Sequence, residues 1–269
     1  MKKVLTITGV VIVFFIILLM VGVSNVGPLI KKAVNTAGPY ITKTAVTLED
    51  VSVSIFSGEA TVEGFTLGNP DGFNSPVAMK VGTVSVDLDE ESVTDNPIII
   101  HKIEIIQPDI TYEKKRGTDN FEVILSNIAK AVQSEQGGKR TAAKKAGQKP
   151  AKTLLINHVI VKDGTVNLVV DFMGGGAVSA SLPDIHLTGI GKGKKGVTPA
   201  EAFEIIFESI YSGISAESVT GVLTNGLNRL GDLKNIHDEG GDAAGKALET
   251  VTSTLESAAD GLSDFFNSE

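Results

Sequence analysis

From Val4 to Val23 the chain is apolar and carries no charge, and alternating patterns begin only beyond it. Those twenty residues, at ~1.5 Å of rise each, span ~30 Å, the thickness of a bilayer's hydrocarbon core, and so predict a transmembrane helix. Over residues 24–45, Leu29, Ile30, Ala33, Val34 and Ala37 recur at three- and four-residue spacing around Lys31 and Lys32. This predicts a short amphipathic helix that Pro39 should end or bend. From Val46 the period falls to two. Val51, Val53 and Ile55 alternate with Ser52 and Ser54, Val62 with Thr61 and Glu63, and Val84, Val86 and Leu88 with Ser85 and Asp87. Ile103, Ile105, Ile110 and Tyr112 continue the series, which reads as half-buried strands with short antiparallel connections. Gly58, Gly64, Asn69-Pro70-Asp71-Gly72, Asn96-Pro97 and Gln107-Pro108 punctuate it as turns or strand ends.

Helical spacing returns in Phe121–Val132, expected as a cap across one end of the sheet. Residues 133–152 lose their large apolar side chains and gather Lys139, Arg140, Lys144, Lys145, Lys149 and Lys152. The segment reads as a flexible basic linker, with a tether for anionic headgroups as the functional alternative. A second β block follows: residues 154–172 predict a strand, a turn at Lys162-Asp163-Gly164 and a second strand, and residues 179–190 a third. Thr198 then stands as N-cap of a helix beginning Pro199-Ala200-Glu201, with Glu201 at the reach-back position of a capping box. Ala202, Phe203, Ile206, Phe207 and Ile210 form its apolar stripe; Val219, Val222, Leu223, Leu227 and Leu230 form another, and Leu248, Val251, Leu255, Leu262, Phe265 and Phe266 a last one.

The expected fold is therefore α+β: an N-terminal transmembrane helix, then a curved, mainly antiparallel, groove-like β-sheet with C-terminal amphipathic helices. The boundaries are 1–23 for tail and anchor, 24–45 for the connecting helix, 46–132 for the first β block, 133–152 for the linker, 153–197 for the second block and 198–269 for the helical region.

Charge sets the orientation. Lys2 and Lys3 precede the apolar run, which places the short tail in the cytoplasm and the body of the protein across the membrane. A cleaved signal peptide shares the charged start, but its apolar region is shorter, and Val21-Gly22-Val23-Ser24 makes a poor cleavage site. The 24 basic residues less Lys2 and Lys3 leave 22 against 32 acidic ones, a formal charge of −10. That balance argues against nucleic acid as a partner and against broad adhesion to anionic lipid. With no cysteine, neither a disulfide nor a thiolate metal site can form.

The sequence carries no recognisable catalytic constellation, cofactor motif or metal motif. His101, His158, His186 and His237 are far apart in sequence, and no nucleophile elbow accompanies the many serines. Gly191 and Gly196 have the spacing of a phosphate loop, but Val197 stands where the phosphate-binding lysine belongs, so nucleotide binding is rejected. What remains is the sheet. Its apolar face needs covering by another layer, by helices or by a ligand. A partly covered face would accept acyl chains, which gain ~0.8 kcal/mol for each CH₂ buried. Alternation alone selects Val51, Val53, Ile55, Val84, Val86, Ile103 and Ile105 as groove candidates.

The order of these features resembles the N-terminal region of the AsmA family. The matching elements are the anchor, the helix after it, VTLEDVSVSIFSGEATVEGFTLGNPDGF at residues 46–73, VAMKVGTVSVDLD, and IIIHKIEIIQPDITYEKK. LLINHVIVKDGTVNLV is similar to the family's later strand-DG-strand hairpin, so the resemblance covers roughly residues 1–190. It implies an inner-membrane protein of a Gram-negative envelope, facing the periplasm, with an apolar concave sheet face and a role in phospholipid movement toward the outer membrane and in envelope integrity. It implies no catalytic residue. Large members extend their groove much further than these two β blocks do. The leading expectation is a non-enzymatic module that binds phospholipid acyl chains or assists a longer transporter. The alternative is an envelope scaffold or assembly partner whose helices seal the sheet and which binds another envelope protein. An envelope enzyme is the remaining class.

Overall fold

The computed structural model describes residues 26–54, 57–115, 117–142, 152–169, 177–216 and 218–226. Over these the protein is α+β, a large open sheet with helices packed on it. The chain runs α1 (Val26–Thr42), β1 (Val46–Thr47), β2 (Asp50–Ser54), β3 (Glu59–Gly68), β4 (Val77–Leu88), a 3-10 turn at Glu91–Thr94, β5 (Ile98–Lys115), β6 (Thr118–Asp119) and α2 (Asn120–Ala142). It continues through β7 (Leu154–Lys162), β8 (Thr165–Val169), β9 (Ala177–Ser181), β10 (Ile185–Ile190) and α3 (Pro199–Ile214), with a further helical run over 218–226. Among the described helices none is long and apolar enough to cross a membrane. The expected anchor, Val4–Val23, lies outside the described residues.

The main path of the sheet is β1-β3-β4-β5-β7-β10, with β2 also on β3, β8 on β5 and β9 on β8. Pairing is antiparallel except where β5 meets β7 and β8. The two β blocks thus join in one sheet through a β5–α2–β7 crossover, the arrangement that parallel neighbours need. The hairpin expected at Lys162-Asp163-Gly164 does not form: β7 and β8 run in one direction, both parallel to the long strand β5. Asp163, at φ 56°, breaks the strand without reversing it. Two further differences concern helices. α1 continues through Pro39 to Thr42, and α2 takes in residues 133–142, the first half of the segment read as a linker. A single proline removes one helical hydrogen bond, and here the sheet beneath holds the turns on either side.

The break at Asp163 belongs to a line that crosses the whole sheet. Residues 48–49 lie opposite Gly64, Gly64 opposite Gly82, Gly82 opposite Gln107, Gln107-Pro108 opposite Asp163-Gly164, and Pro183 continues the line between β9 and β10. Gly64 and Gln107 also have positive φ, 61° and 53°. At Gly64 a side chain would run into that of Glu49, so glycine serves both conformation and space. Aligned irregularities of this kind bend strands and strengthen twist. This crease divides the sheet into a near half (β2, 59–63, 83–88, 98–106, β7, β10) and a far half (β1, 65–68, 77–81, 109–115, β8, β9).

Candidate functional site

The apolar face is organised in rows that run across the strands. In the far half, Val46, Leu67, Met79, Ile110, Val166 and Ala180 pair in succession, and every one is at most 6% exposed. Phe121, Ile124 and Ile128 of α2 and Phe207, Ile210 and Ile214 of α3 pack over them. Phe121 stacks on Phe207 with centroids 5.1 Å apart. The far half is a filled core.

The near half carries two comparable rows. One is Val51–Val62–Val84–Ile105–Val161–Ile185, the other Val53–Ala60–Val86–Ile103–Val159–Leu187. Six of the seven residues selected by alternation stand in these rows, three in each; the seventh, Ile55, lies outside the described residues. Their cover is uneven. Val51, Ile105, Val159 and Val161 are buried, whereas Val53, Ala60, Val62, Val84, Val86 and Ile103 are only half-buried. On one flank α1 contributes Ile30 and Val34, packed with Val51, Val53 and Val62. On the other, Ala202, Ile205 and Ile206 of α3 pack with Val86, Leu88, Ile103 and Leu187. The half-buried strip lies between these flanks on β3, β4 and β5. After Val132 the sequence of α2, QSEQGGKRTA, contains no large apolar residue.

The position of α1 follows from two glycines. A Cβ at Gly27 would coincide with the carbonyl oxygen of Val51, and one at Gly38 would come within 2.6 Å of Val46 Cβ. Eleven residues apart, they lie on one side of the helix and let its backbone rest on β1 and β2. The N-terminal turn of α1 therefore sits over Val51, on the near half. The amide of Leu48 donates to Asn35 Oδ1 at 2.9 Å and Lys31 Nζ donates to the Glu49 carbonyl at 2.6 Å, fixing the same contact.

The opposite face of the near half is polar. Glu104 receives Lys162 at 2.6 Å and Lys102 at 3.3 Å, and these hydrogen bonds, led by Lys162, hold its carboxyl below the ordinary glutamate range. On the same face His158 Nδ1 and His186 Nε2 are 3.1 Å apart.

A buried polar cluster closes the far end. Asp119 accepts from the hydroxyls of Tyr211 and Tyr112 and from the amide of Glu122; burial raises its carboxyl and both phenols. Asn120 donates to Asn69 Oδ1 and to the Thr111 carbonyl, each at 2.7 Å, and accepts from the Glu113 amide. Glu113 in turn receives the amides of Asn74 and Ser75. The Asn-Pro-Asp-Gly-Phe loop between β3 and β4 is thereby pinned to β5 and α2. Each group in the cluster is used structurally, and among the described residues no group of three or more metal-ligating side chains converges.

No family model matches the chain, and no curated protein matches it either. The residues that complete the rows, Ala60, Val62, Val159, Val161, Ile185 and Leu187, alternate as clearly as those selected. Only strand order and register, which alternation does not supply, join them to the others.

Proposed function

We propose that the protein is a membrane-anchored, non-catalytic module that accepts phospholipid acyl chains on the near half of its sheet. The observation that carries this reading is the contrast between halves: the same row architecture is filled in one and only half-covered in the other. A strip of valine, alanine and isoleucine side chains without polar atoms suits a hydrocarbon chain, at ~0.8 kcal/mol per CH₂ removed from water. The geometry of α1 supports the same reading. Its first turn lies over Val51, so a membrane span preceding α1 would keep the strip close to the leaflet. The AsmA-like features of residues 46–73 favour the inner membrane of a Gram-negative envelope, with the body in the periplasm and a role in phospholipid transport or envelope integrity.

Native mass spectrometry and solvent extraction of the full chain, purified in mild detergent, test the proposal. Phospholipid should co-purify, and Val53→Glu with Val86→Glu should deplete it while Thr188→Glu on the polar face does not. A chain that carries no lipid, with the double variant merely unfolding, would instead favour the sealed scaffold, the reading that the completely filled far half supports. In that case cross-linking in membranes should recover a single envelope protein. Protease accessibility in spheroplasts checks the orientation: cleavage of the body from outside is expected, and full protection would overturn the periplasmic assignment.

A further inference from the structure

We propose that His158 and His186 form an open two-imidazole site for a borderline divalent metal ion of the Zn²⁺, Ni²⁺ or Cu²⁺ class. The two residues are 28 apart in sequence and sit on adjacent antiparallel strands, β7 and β10. Thr188 stands opposite His158 and Ile160 opposite His186, so the histidines are diagonal neighbours on one face. That face is the polar one, and both side chains are exposed.

Their separation fits chelation. Two metal–nitrogen bonds of ~2.0–2.1 Å closing on nitrogens 3.1 Å apart subtend an angle of roughly 95–100°, between the octahedral and tetrahedral values. The rings are tilted by 34° with centroids 5.3 Å apart, and both side chains are exposed, so rotation about their broad terminal torsions can turn the two lone pairs toward one ion. Without metal, one ring donates its N–H to the other. When an ion binds, the donating ring shifts its proton to its other ring nitrogen, so that both facing nitrogens are free to ligate as neutral imidazoles, and water fills the remaining positions.

The surroundings permit a cation. On β5, Lys102 stands opposite His158, but its ammonium is engaged by Glu104. Lys162, on β7, is likewise paired with Glu104, and Asp184 precedes β10 two residues before His186. β10 ends the main path of the sheet, so a bound ion would clip a terminal strand to its neighbour. Imidazole ligands with an open coordination sphere select Cu²⁺, Ni²⁺ and Zn²⁺ over Mg²⁺ and Ca²⁺. The site is independent of the lipid reading, since it uses the other face.

The test is calorimetry of the full chain in detergent at pH 7.5, titrated with Zn²⁺ and with Cu²⁺, alongside His158→Ala, His186→Ala and His101→Ala. One ion per chain is expected, bound at least tenfold more weakly by either of the first two variants and unchanged in the third. Cu²⁺ spectra should report two nitrogen ligands. Equal affinity in wild type and His186→Ala, comparable weakening by His101→Ala, or no binding below millimolar metal would each overturn the assignment. Unchanged circular dichroism is expected for all three variants, since the substituted side chains are exposed.

Discussion

The hydroxyl of Tyr211, on α3, donates to Oδ2 of Asp119 at 2.6 Å, joining groups 92 residues apart. Tyr112 of β5 donates to the same oxygen at 3.2 Å, and the Glu122 amide in the first turn of α2 donates to Oδ1 at 2.7 Å. Three elements therefore meet on one carboxyl that is 1% exposed. Tyr211→Phe keeps the ring's stacking on Phe121 but removes one of three partners from a buried acceptor. A loss of about 1–3 kcal/mol is expected, seen as a lower urea midpoint with an unchanged slope. A midpoint equal to wild type would mean that the hydroxyl contributes nothing to docking α3.

The same carboxyl makes stability depend on pH in the direction opposite to most aspartates. Burial, the largest influence, raises Asp119 above its ordinary 3.8, outweighing the hydrogen bonds that lower it. A group raised on folding contributes fully below its unfolded value, and that contribution is lost as pH rises through the folded value. Denaturation midpoints of wild type and Asp119→Asn, compared from pH 3 to pH 8, should diverge progressively against wild type from about pH 4 upward. A constant difference across that range would show that Asp119 titrates as it does in the unfolded chain.

Glu113 performs a different task with similar burial, at 2% exposure. Its two oxygens accept from the backbone amides of Asn74 and Ser75 at 2.7 and 3.0 Å, and Asn69 Nδ2 closes the loop on the Ser75 carbonyl at 2.8 Å. Glu113→Ala leaves two amides without acceptors and should cost about 3 kcal/mol. Hydrogen exchange should accelerate at residues 69–76 beyond the change expected from global destabilisation. Glu113→Gln, which keeps one acceptor oxygen, should recover part of the protection.

How far the sequence revealed this fold depends on the range of the interaction that decides each element. The capping box at Thr198 and Glu201 is local: both reciprocal bonds form, at 3.2 and 2.7 Å, where the residue spacing placed them. Thr198→Ala should accordingly cost about 1 kcal/mol in thermal or urea unfolding, and no change would mean the cap is redundant with the packing of α3. Alternation likewise gave the facing of Val51, Val53, Val84, Val86, Ile103 and Ile105, because a period of two fixes the side of a strand. It could not give their partners. Lys162-Asp163-Gly164 has the chemistry of a turn, yet the same residues serve a strand break when an 18-residue neighbour with its own break at Gln107-Pro108 pairs on both sides of it. The histidine pair was hidden for the same reason, since it exists only through the β7–β10 register.

The contact of α1 with the sheet offers a test in which local preference and packing oppose each other. Replacing glycine by alanine inside a helix ordinarily stabilises it by about 1 kcal/mol. At Gly38 the new methyl would stand 2.6, 2.7 and 2.9 Å from three carbons of Val46, a fully packed residue in the far-half row. At Gly27 it would meet the carbonyl oxygen of Val51, a backbone atom of β2, which is paired along its length with β3. Relief at Gly27 requires the first turns of α1 to lift, uncovering Ile30, Val34 and Val51 together, whereas relief at Gly38 moves its last turns away from Val46. Overpacking of this kind costs typically 1–3 kcal/mol, so both variants should be destabilised despite their better helix propensity. Lifting at Gly27 should also widen the half-buried strip near Val53 and Val62, whereas Gly38→Ala should act on the far half. A fluorescent fatty-acid probe separates the two: increased binding is expected for Gly27→Ala alone. Equal stability of both variants and wild type would show that α1 is not seated against β1 and β2.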